Sequence, residues 1–178
     1  EMKRRDLMLA VEGHGFERFI SRSKYFQDHP EWFGPVGGEY SDRYFDQFRL
    51  TEPAALATYE RNLRAFLRDF PAVYSLAIMP NDSPRWTDSD LEQFTPAELQ
   101  RKTYDLASRV INEVKPDTRL SIYLGVDYFG SDGTEVWDSA TARVLWHTAV
   151  LRRTQKYAWN DPGNELNASQ YRKAAEIT

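Results

Sequence analysis

The sequence predicts an α/β domain built on a parallel sheet. Two observations carry that reading. Short apolar runs of strand length alternate with longer segments whose apolar residues recur at spacings of three and four. Prolines, glycines and capping sequences punctuate the alternation, as expected where strand–helix units follow one another. Four or five such units fit into 178 residues, whereas a closed eight-stranded barrel needs about 250. The chain is therefore an open doubly wound domain or about half of a barrel. It reads as one domain over residues 1–178, with no internal repeat and no low-complexity tract.

The elements follow in order. Asp6 to Val11 is the first strand, and it runs into Glu12-Gly13-His14-Gly15, where two glycines mark a turn. Phe16 to Gly34 is rich in aromatics and reads as one or two short helices, interrupted at Pro30. Pro35 to Asp46 holds Gly37-Gly38 and reads as a turn or small hairpin, with a short strand near Gln47 to Leu50. Thr51 is the expected cap of the first long helix, and Pro53 suits its first turn. Leu56, Tyr59, Leu63, Phe66 and Phe70 give that helix one apolar face, and Pro71 lies just past its end.

Val73 to Met79 is the next strand, closed by Pro80-Asn81-Asp82, and a polar loop is expected from Ser83 to Phe94. Thr95-Pro96-Ala97-Glu98 is a capping box with proline at the first helical position. Leu99, Leu106, Val110 and Val114 line the second long helix, which Pro116 stops. Arg119 to Val126 is a strand, Asp127 to Thr141 a loop, and Arg143 to Leu151 a further strand. A polar loop covers Tyr157 to Glu165. Asn167 and Gln170 then form a capping box, with Leu166 and Tyr171 as its staple, and open a last helix.

Composition narrows the function classes. Hydrophobic residues make up 41% and charged residues 28%, an ordinary globular balance. The net charge is −4 with both signs interspersed, and the absence of any Lys/Arg run argues against a nucleic-acid partner. No stretch approaches the roughly 18 apolar residues of a membrane span. There is no cysteine, which excludes disulfides and thiolate metal sites. The chain starts at Glu1 without a signal peptide, so it reads as a processed or excised segment. Aromatic residues reach 14%; they serve cores and also form platforms on which sugar rings stack.

In parallel α/β folds the chemistry gathers at the C-terminal ends of the strands, and those ends are polar here. The first strand leads to Glu12 and His14, the second to Asn81 and Asp82. The third holds Tyr123 and leads to Asp127 and Tyr128, and the loop after the last holds Trp159, Asn160 and Asp161. Carboxylates protonate leaving groups or activate nucleophiles, amides and imidazoles hold hydroxyls, and aromatics stack on rings, so this set suits a sugar site. Bland readings stand beside these. Asp82 precedes Ser83-Pro84 and suits a turn, Asp127 suits a cap, and Asp161 precedes the turn pair Pro162-Gly163. His29-Pro30 and Trp32-Phe33 read as packing, and His147, inside an apolar segment, reads as a hydrogen-bonded core residue. No H-E-x-x-H, EF-hand, P-loop, Rossmann or G-x-S-x-G pattern is present, so no cofactor and no metal are expected.

Several segments together resemble a known family. They are Gly13-His14-Gly15-Phe16, Lys24-Tyr25-Phe26, His29-Pro30-Glu31-Trp32-Phe33, Pro80-Asn81-Asp82, and Arg152-Arg153 through Asn160-Asp161-Pro162 with Tyr171. In that order they resemble a bacterial glycoside-hydrolase-like barrel family long labelled a domain of unknown function, some members of which are similar to endo-β-N-acetylglucosaminidases. The resemblance implies a partial (β/α)8 TIM-type barrel whose early strands precede Glu1, and a secreted or periplasmic glycan-degrading protein. Many relatives carry a cysteine-rich segment after Pro-Asn-Asp; this chain has Ser83-Pro84-Arg85-Trp86-Thr87-Asp88 instead.

The expectation is a hydrolase acting on amino-sugar-containing glycans. Asp82 and Asn81 are its catalytic pair, dividing acid catalysis from orientation of a 2-acetamido group that serves as internal nucleophile. Glu12 and Asp127 stand in reserve as acids. His14, Tyr123, Tyr128, Trp159, Asn160 and Asp161 are expected to line the substrate site. The alternative is a non-catalytic carbohydrate-binding protein on the same scaffold.

Overall fold

The computed structural model describes residues 8–11, 16–40, 47–78, 86–124 and 144–148, with 122–124 and 144–148 described by their backbone. The expected mixed α/β architecture with a parallel sheet is present. Strands β1 (Leu9–Val11), β2 (Val73–Ala77), β3 (Arg119–Leu124) and β4 (Val144–Thr148) form one sheet in the order β1-β2-β3-β4. All three pairings are parallel, with Val11 opposite Leu76, Leu76 opposite Leu120 and Leu120 opposite Val144. Helices α1 (Arg22–Tyr25), α2 (Pro53–Asp69), α3 (Asp88–Leu91) and α4 (Pro96–Val114) and two 3₁₀ turns, Phe16–Phe19 and Pro30–Trp32, lie between the strands.

Neighbouring strands follow one another in sequence, with no reversal among the described strands. Right-handed crossovers between such strands place α2 and α4 on the same face of the sheet, and the two helices pack against each other. The strand period of two then sorts the sheet residues. Leu76, Ile78 and Leu120 join the apolar cluster that contains Tyr59, Leu63 and Leu67 of α2 and Leu106, Val110 and Ile111 of α4. Ser75, Ala77 and Ser121 occupy the other face. They too are buried, yet Ala77 stays outside that cluster while Ala55 and Ala107 of the helices belong to it. Val73 and Leu9, at the start of their strands, are the exceptions to this division.

Helix α2 buries Ala55, Thr58, Tyr59, Leu63 and Leu67, a stripe at helical spacing. Full burial of a leucine contributes roughly 1.5–3 kcal/mol. The expected face is met at Tyr59 and Leu63, and Leu56 and Phe66 are partly buried against it. Phe70 is 50% exposed, because it lies past the last turn and its φ of −118° has left the helix. The expected Thr51 cap is corrected: Glu52 caps α2 by accepting from Ala54 N–H, whereas the Thr51 hydroxyl accepts from Arg49 Nε. Helix α4 carries the expected capping box in full. Glu98 N–H donates to Thr95 Oγ1 at 3.3 Å, and Thr95 N–H donates to Glu98 Oε2 at 2.8 Å. That second bond holds the Glu98 carboxyl below its ordinary value. A depressed carboxylate stabilises the fold above its unfolded pKa and loses that contribution as pH falls through the folded one. Acid unfolding followed by circular dichroism is therefore expected to be less steep in Glu98→Gln.

Two further corrections concern loops. The strand expected near Gln47 to Leu50 does not form. Arg49 N–H donates to the Trp32 carbonyl at 2.6 Å, and the next two amides go to a side chain, so no ladder partner is used. The polar loop expected from Ser83 to Phe94 contains α3, capped by Thr87, whose hydroxyl accepts from Asp90 N–H. The turn at Gly37-Gly38 is as expected. Both glycines have positive φ, 61° and 80°, and Val36 and Glu39 bridge across them. The segment from Phe16 to Gly34 is short-helical as expected, but Pro30 begins the second 3₁₀ turn rather than breaking a helix. His29 and Trp32 stack at 4.0 Å, in line with the packing role expected of them. The loops at 127–141 and 157–165 and the last helix lie outside the described residues.

Helix α3 works as a clasp. Asp90 is fully buried, and its carboxylate accepts from Leu50 N–H at 3.0 Å and Thr51 N–H at 2.9 Å. The carboxylate of Asp88, at the surface, accepts from Gly37 N–H and Gly38 N–H, each at 2.7 Å. Two acidic residues two positions apart thus tie two distant loops to the segment that follows β2.

Candidate functional site

Every strand of a parallel sheet points the same way, so the chain leaves β1, β2, β3 and β4 along one edge. In the sequence, most of the expected site residues come after the strand ends. Glu12 and His14 follow β1 directly, Asn81 and Asp82 follow β2, and Asp127 and Tyr128 follow β3. These six, with Trp159, Asn160 and Asp161, lie outside the described residues. Tyr123 is in β3, one residue before the strand ends, where it is the register partner of His147 in β4.

The described residues show how the loops bearing the first four candidates are anchored. The segment 12–15 starts at Val11 and ends at Phe16, which is buried. The segment 79–85 starts at Ile78, also buried, and ends at Trp86, which is 4% exposed. At their near ends Val11 and Leu76 are register partners. At their far ends the rings of Phe16 and Trp86 lie 6.4 Å apart, tilted by 59°. The described residues on either side of the two segments are thus neighbours. The clasp adds to this: α3 starts two residues after Trp86, and it fixes Gly37, Gly38, Leu50 and Thr51 around the same segment.

Below Phe16 and Trp86 the floor is aromatic. Phe16 stacks on Phe48 at 4.8 Å, and both rings lie 5.3 Å from Tyr59. The Tyr59 hydroxyl is buried with no hydrogen-bond partner, and burial pushes its phenol far above the ordinary value. A hydroxyl left unsatisfied in this way costs about 1–3 kcal/mol. Tyr59→Phe is accordingly expected to raise stability by about 1 kcal/mol, read as a higher urea midpoint with unchanged m-value. A drop in the midpoint would mean that the hydroxyl has a partner.

Electrostatics elsewhere are structural. Arg109 donates to Glu60 at 2.6 Å, and Arg64 pairs with both Glu60 and Glu113, tying α2 to α4 at the surface. An open hollow of about 430 Å³ runs along α2 past Leu56, Arg61 and Arg68. A smaller one of about 260 Å³ holds Asn62, which donates to the Phe19 carbonyl and the Tyr25 hydroxyl. Among the described residues no three His, Asp or Glu side chains are grouped to hold a metal, and no helix is long and apolar enough to cross a membrane.

Sequence reasoning missed the clasp. Its signal was present, since Thr87 followed by Asp88 and Asp90 is a capping residue with acids in the first turn. Comparison with family models, with curated proteins and with solved structures finds no match to this chain.

Proposed function

We propose that this chain is an arc of a (β/α) barrel whose C-terminal rim binds and hydrolyses an amino-sugar-containing glycan, as an endo-β-N-acetylglucosaminidase does. The strand order supports the barrel. An open doubly wound sheet reverses its order at a switch point, whereas a barrel adds each strand beside the last. Here the order is β1-β2-β3-β4, and Ser75 and Ser121 are buried on the face turned away from α2 and α4, as residues of a closed interior would be.

The observation that carries the catalytic reading is the paired anchoring of two loops. Val11 pairs with Leu76 and the Phe16 ring lies near that of Trp86, so the described residues flanking the segment of Glu12 and His14 neighbour those flanking the segment of Asn81 and Asp82. On this reading the Asp82 carboxyl protonates the glycosidic oxygen, and Asn81 orients the 2-acetamido group that attacks the anomeric carbon as the aglycone leaves with that proton. Glu12 and Asp127 are the reserve acids. His14, Tyr123, Tyr128, Trp159, Asn160 and Asp161 hold hydroxyls and stack on the ring. Such a substrate is met outside the cytoplasm, which agrees with the secreted or periplasmic setting implied by the family resemblance.

The test is glycan release. The protein is incubated with N-glycoprotein and with aryl N-acetylglucosaminides, and the products are read by mass spectrometry. Released glycan ending in a reducing N-acetylglucosamine supports the reading. Glycan binding without release from any substrate points to a non-catalytic carbohydrate-binding protein that uses the same rim.

A further inference from the structure

We infer that the hollow between the first 3₁₀ turn, α1 and α2 is a binding site for a small oxyanion of the phosphate or sulfate type. Its polar lining is Arg18, Ser21, Lys24, Tyr25 and Asn62, and no carboxylate is among the lining residues. It holds about 260 Å³, below the roughly 300–1,000 Å³ of pockets for drug-sized ligands, which suits a small group. The chain carries 27 acidic residues against 23 Lys and Arg, so a cationic hollow without an acid runs against its composition.

The hydrogen bonds leave donors in search of acceptors. Asn62 uses both amide hydrogens on the protein: Nδ2 donates to the Phe19 carbonyl at 2.7 Å and to the Tyr25 hydroxyl at 3.1 Å. The Tyr25 oxygen is thereby an acceptor, and its own hydrogen has no acceptor among the described residues. The Lys24 ammonium lies 5.0 Å from the centre of the Tyr25 ring and makes no ion pair among the described residues. Arg61, next to Asn62 in α2, donates to the Thr58 hydroxyl at 3.2 Å and likewise pairs with no carboxylate among them. Arg64 and Arg109 differ, since Glu60 and Glu113 neutralise both. The Asn62 bond, with the nearby Lys24 and Arg61 cations, holds the Tyr25 phenol below its ordinary value, as positive surroundings do.

The donors come from two elements, Lys24 and Tyr25 from α1 and Arg61 from α2. A tetrahedral oxyanion presents acceptor oxygens in several directions and can meet both sides, whereas a carboxylate presents two in one plane. The rings of Phe19 and Phe66, 5.4 Å apart, form the apolar part of the wall and limit the water that competes for these bonds. None of this rests on the strand ends, so the inference stands whether or not the chain cleaves glycans.

The test is an NMR titration of the isotope-labelled full chain with phosphate, sulfate and acetate, the ionic strength held constant with sodium chloride. The expected result is saturable shifts of the Asn62 side-chain amide with phosphate and sulfate, with a Kd on the order of 1 mM, and no saturation with acetate. The tighter of the two names the source of the oxyanion. Lys24→Gln combined with Arg61→Gln is expected to weaken binding at least about tenfold, since it removes two charge-assisted donors. Tyr25→Phe keeps the ring, removes the O–H and is expected to weaken binding about fivefold. Shifts that grow linearly with all three anions overturn the inference, as does acetate bound as tightly as phosphate and sulfate. Equal affinity in the wild type and the double variant overturns it too. Should the double variant fail to fold, unchanged affinity in Tyr25→Phe has the same force.

Discussion

On the proposed reading, replacing Asp82 with asparagine is expected to lower glycan release by roughly 10²–10⁴-fold, the usual contribution of a positioned acid or base. The substitution keeps the shape of the side chain and removes only its proton and charge. It also separates the two readings of this residue. Asparagine forms turns as readily as aspartate, so a residue that merely shapes the turn before Ser83-Pro84 tolerates the change. The described residues on either side of that segment, Ile78 and Trp86, are both buried. The measurement is the rate of glycan release under saturating substrate, beside a thermal melt. A melt like the wild type's with release lost assigns Asp82 to the chemistry. Near-normal release removes Asp82 from it and turns attention to Glu12 and Asp127.

Asp90→Ala is expected to destabilise the fold by about 3 kcal/mol. Hydrogen bonds to a charged group contribute about 1.5–3 kcal/mol each, and the alanine leaves the amides of Leu50 and Thr51 without their acceptor in a buried setting. For a chain of this length that is roughly 10 °C in Tm. Asp90→Asn retains one acceptor oxygen and is expected to fall between the two. Asp88→Ala, whose bonds to Gly37 and Gly38 are solvent-exposed, costs about 1 kcal/mol or less. Urea unfolding of the three variants orders them. If Asp90→Ala unfolds like the wild type, the clasp contributes nothing and the loop at 47–51 is held by Phe48 and Leu50 packing and the Arg49 bond to the Trp32 carbonyl.

Much of the fold was legible in the chain because its signals are local. The capping box at Thr95 and Glu98 needs only four residues, and the stripe of Tyr59 and Leu63 needs only the helical period. Val73 to Ala77 is an apolar run between two turn sequences, as a strand buried on both faces must be. The Thr51 cap failed because two neighbouring residues offer side-chain oxygens, and the one that caps is decided by where Arg49 and Asp90 draw the Thr51 hydroxyl and amide. The strand at Gln47 to Leu50 failed for a related reason. Phe48 and Leu50 alternate with Gln47 and Arg49, and both apolar residues are indeed buried, but burial does not supply a neighbouring strand. The site is legible in one respect only. Polar residues at strand ends mark a rim once a parallel sheet is assumed, and nothing in their spacing says which of them meet.

The sequence by itself determined the main strands and the two long helices of the described residues, the capped start of α4, and the roster of carboxylates, amides and aromatics that suits a sugar. These follow from propensity, periodicity and capping, which act over a few residues. Tertiary structure alone decided the strand order, the joining of Phe16 to Trp86, the clasp of Asp88 and Asp90 on loops some forty to fifty residues away, and the register that sets His147 beside Tyr123. Each is a contact between segments far apart in the chain, settled by which surfaces can be buried together and which backbone amides remain to be satisfied.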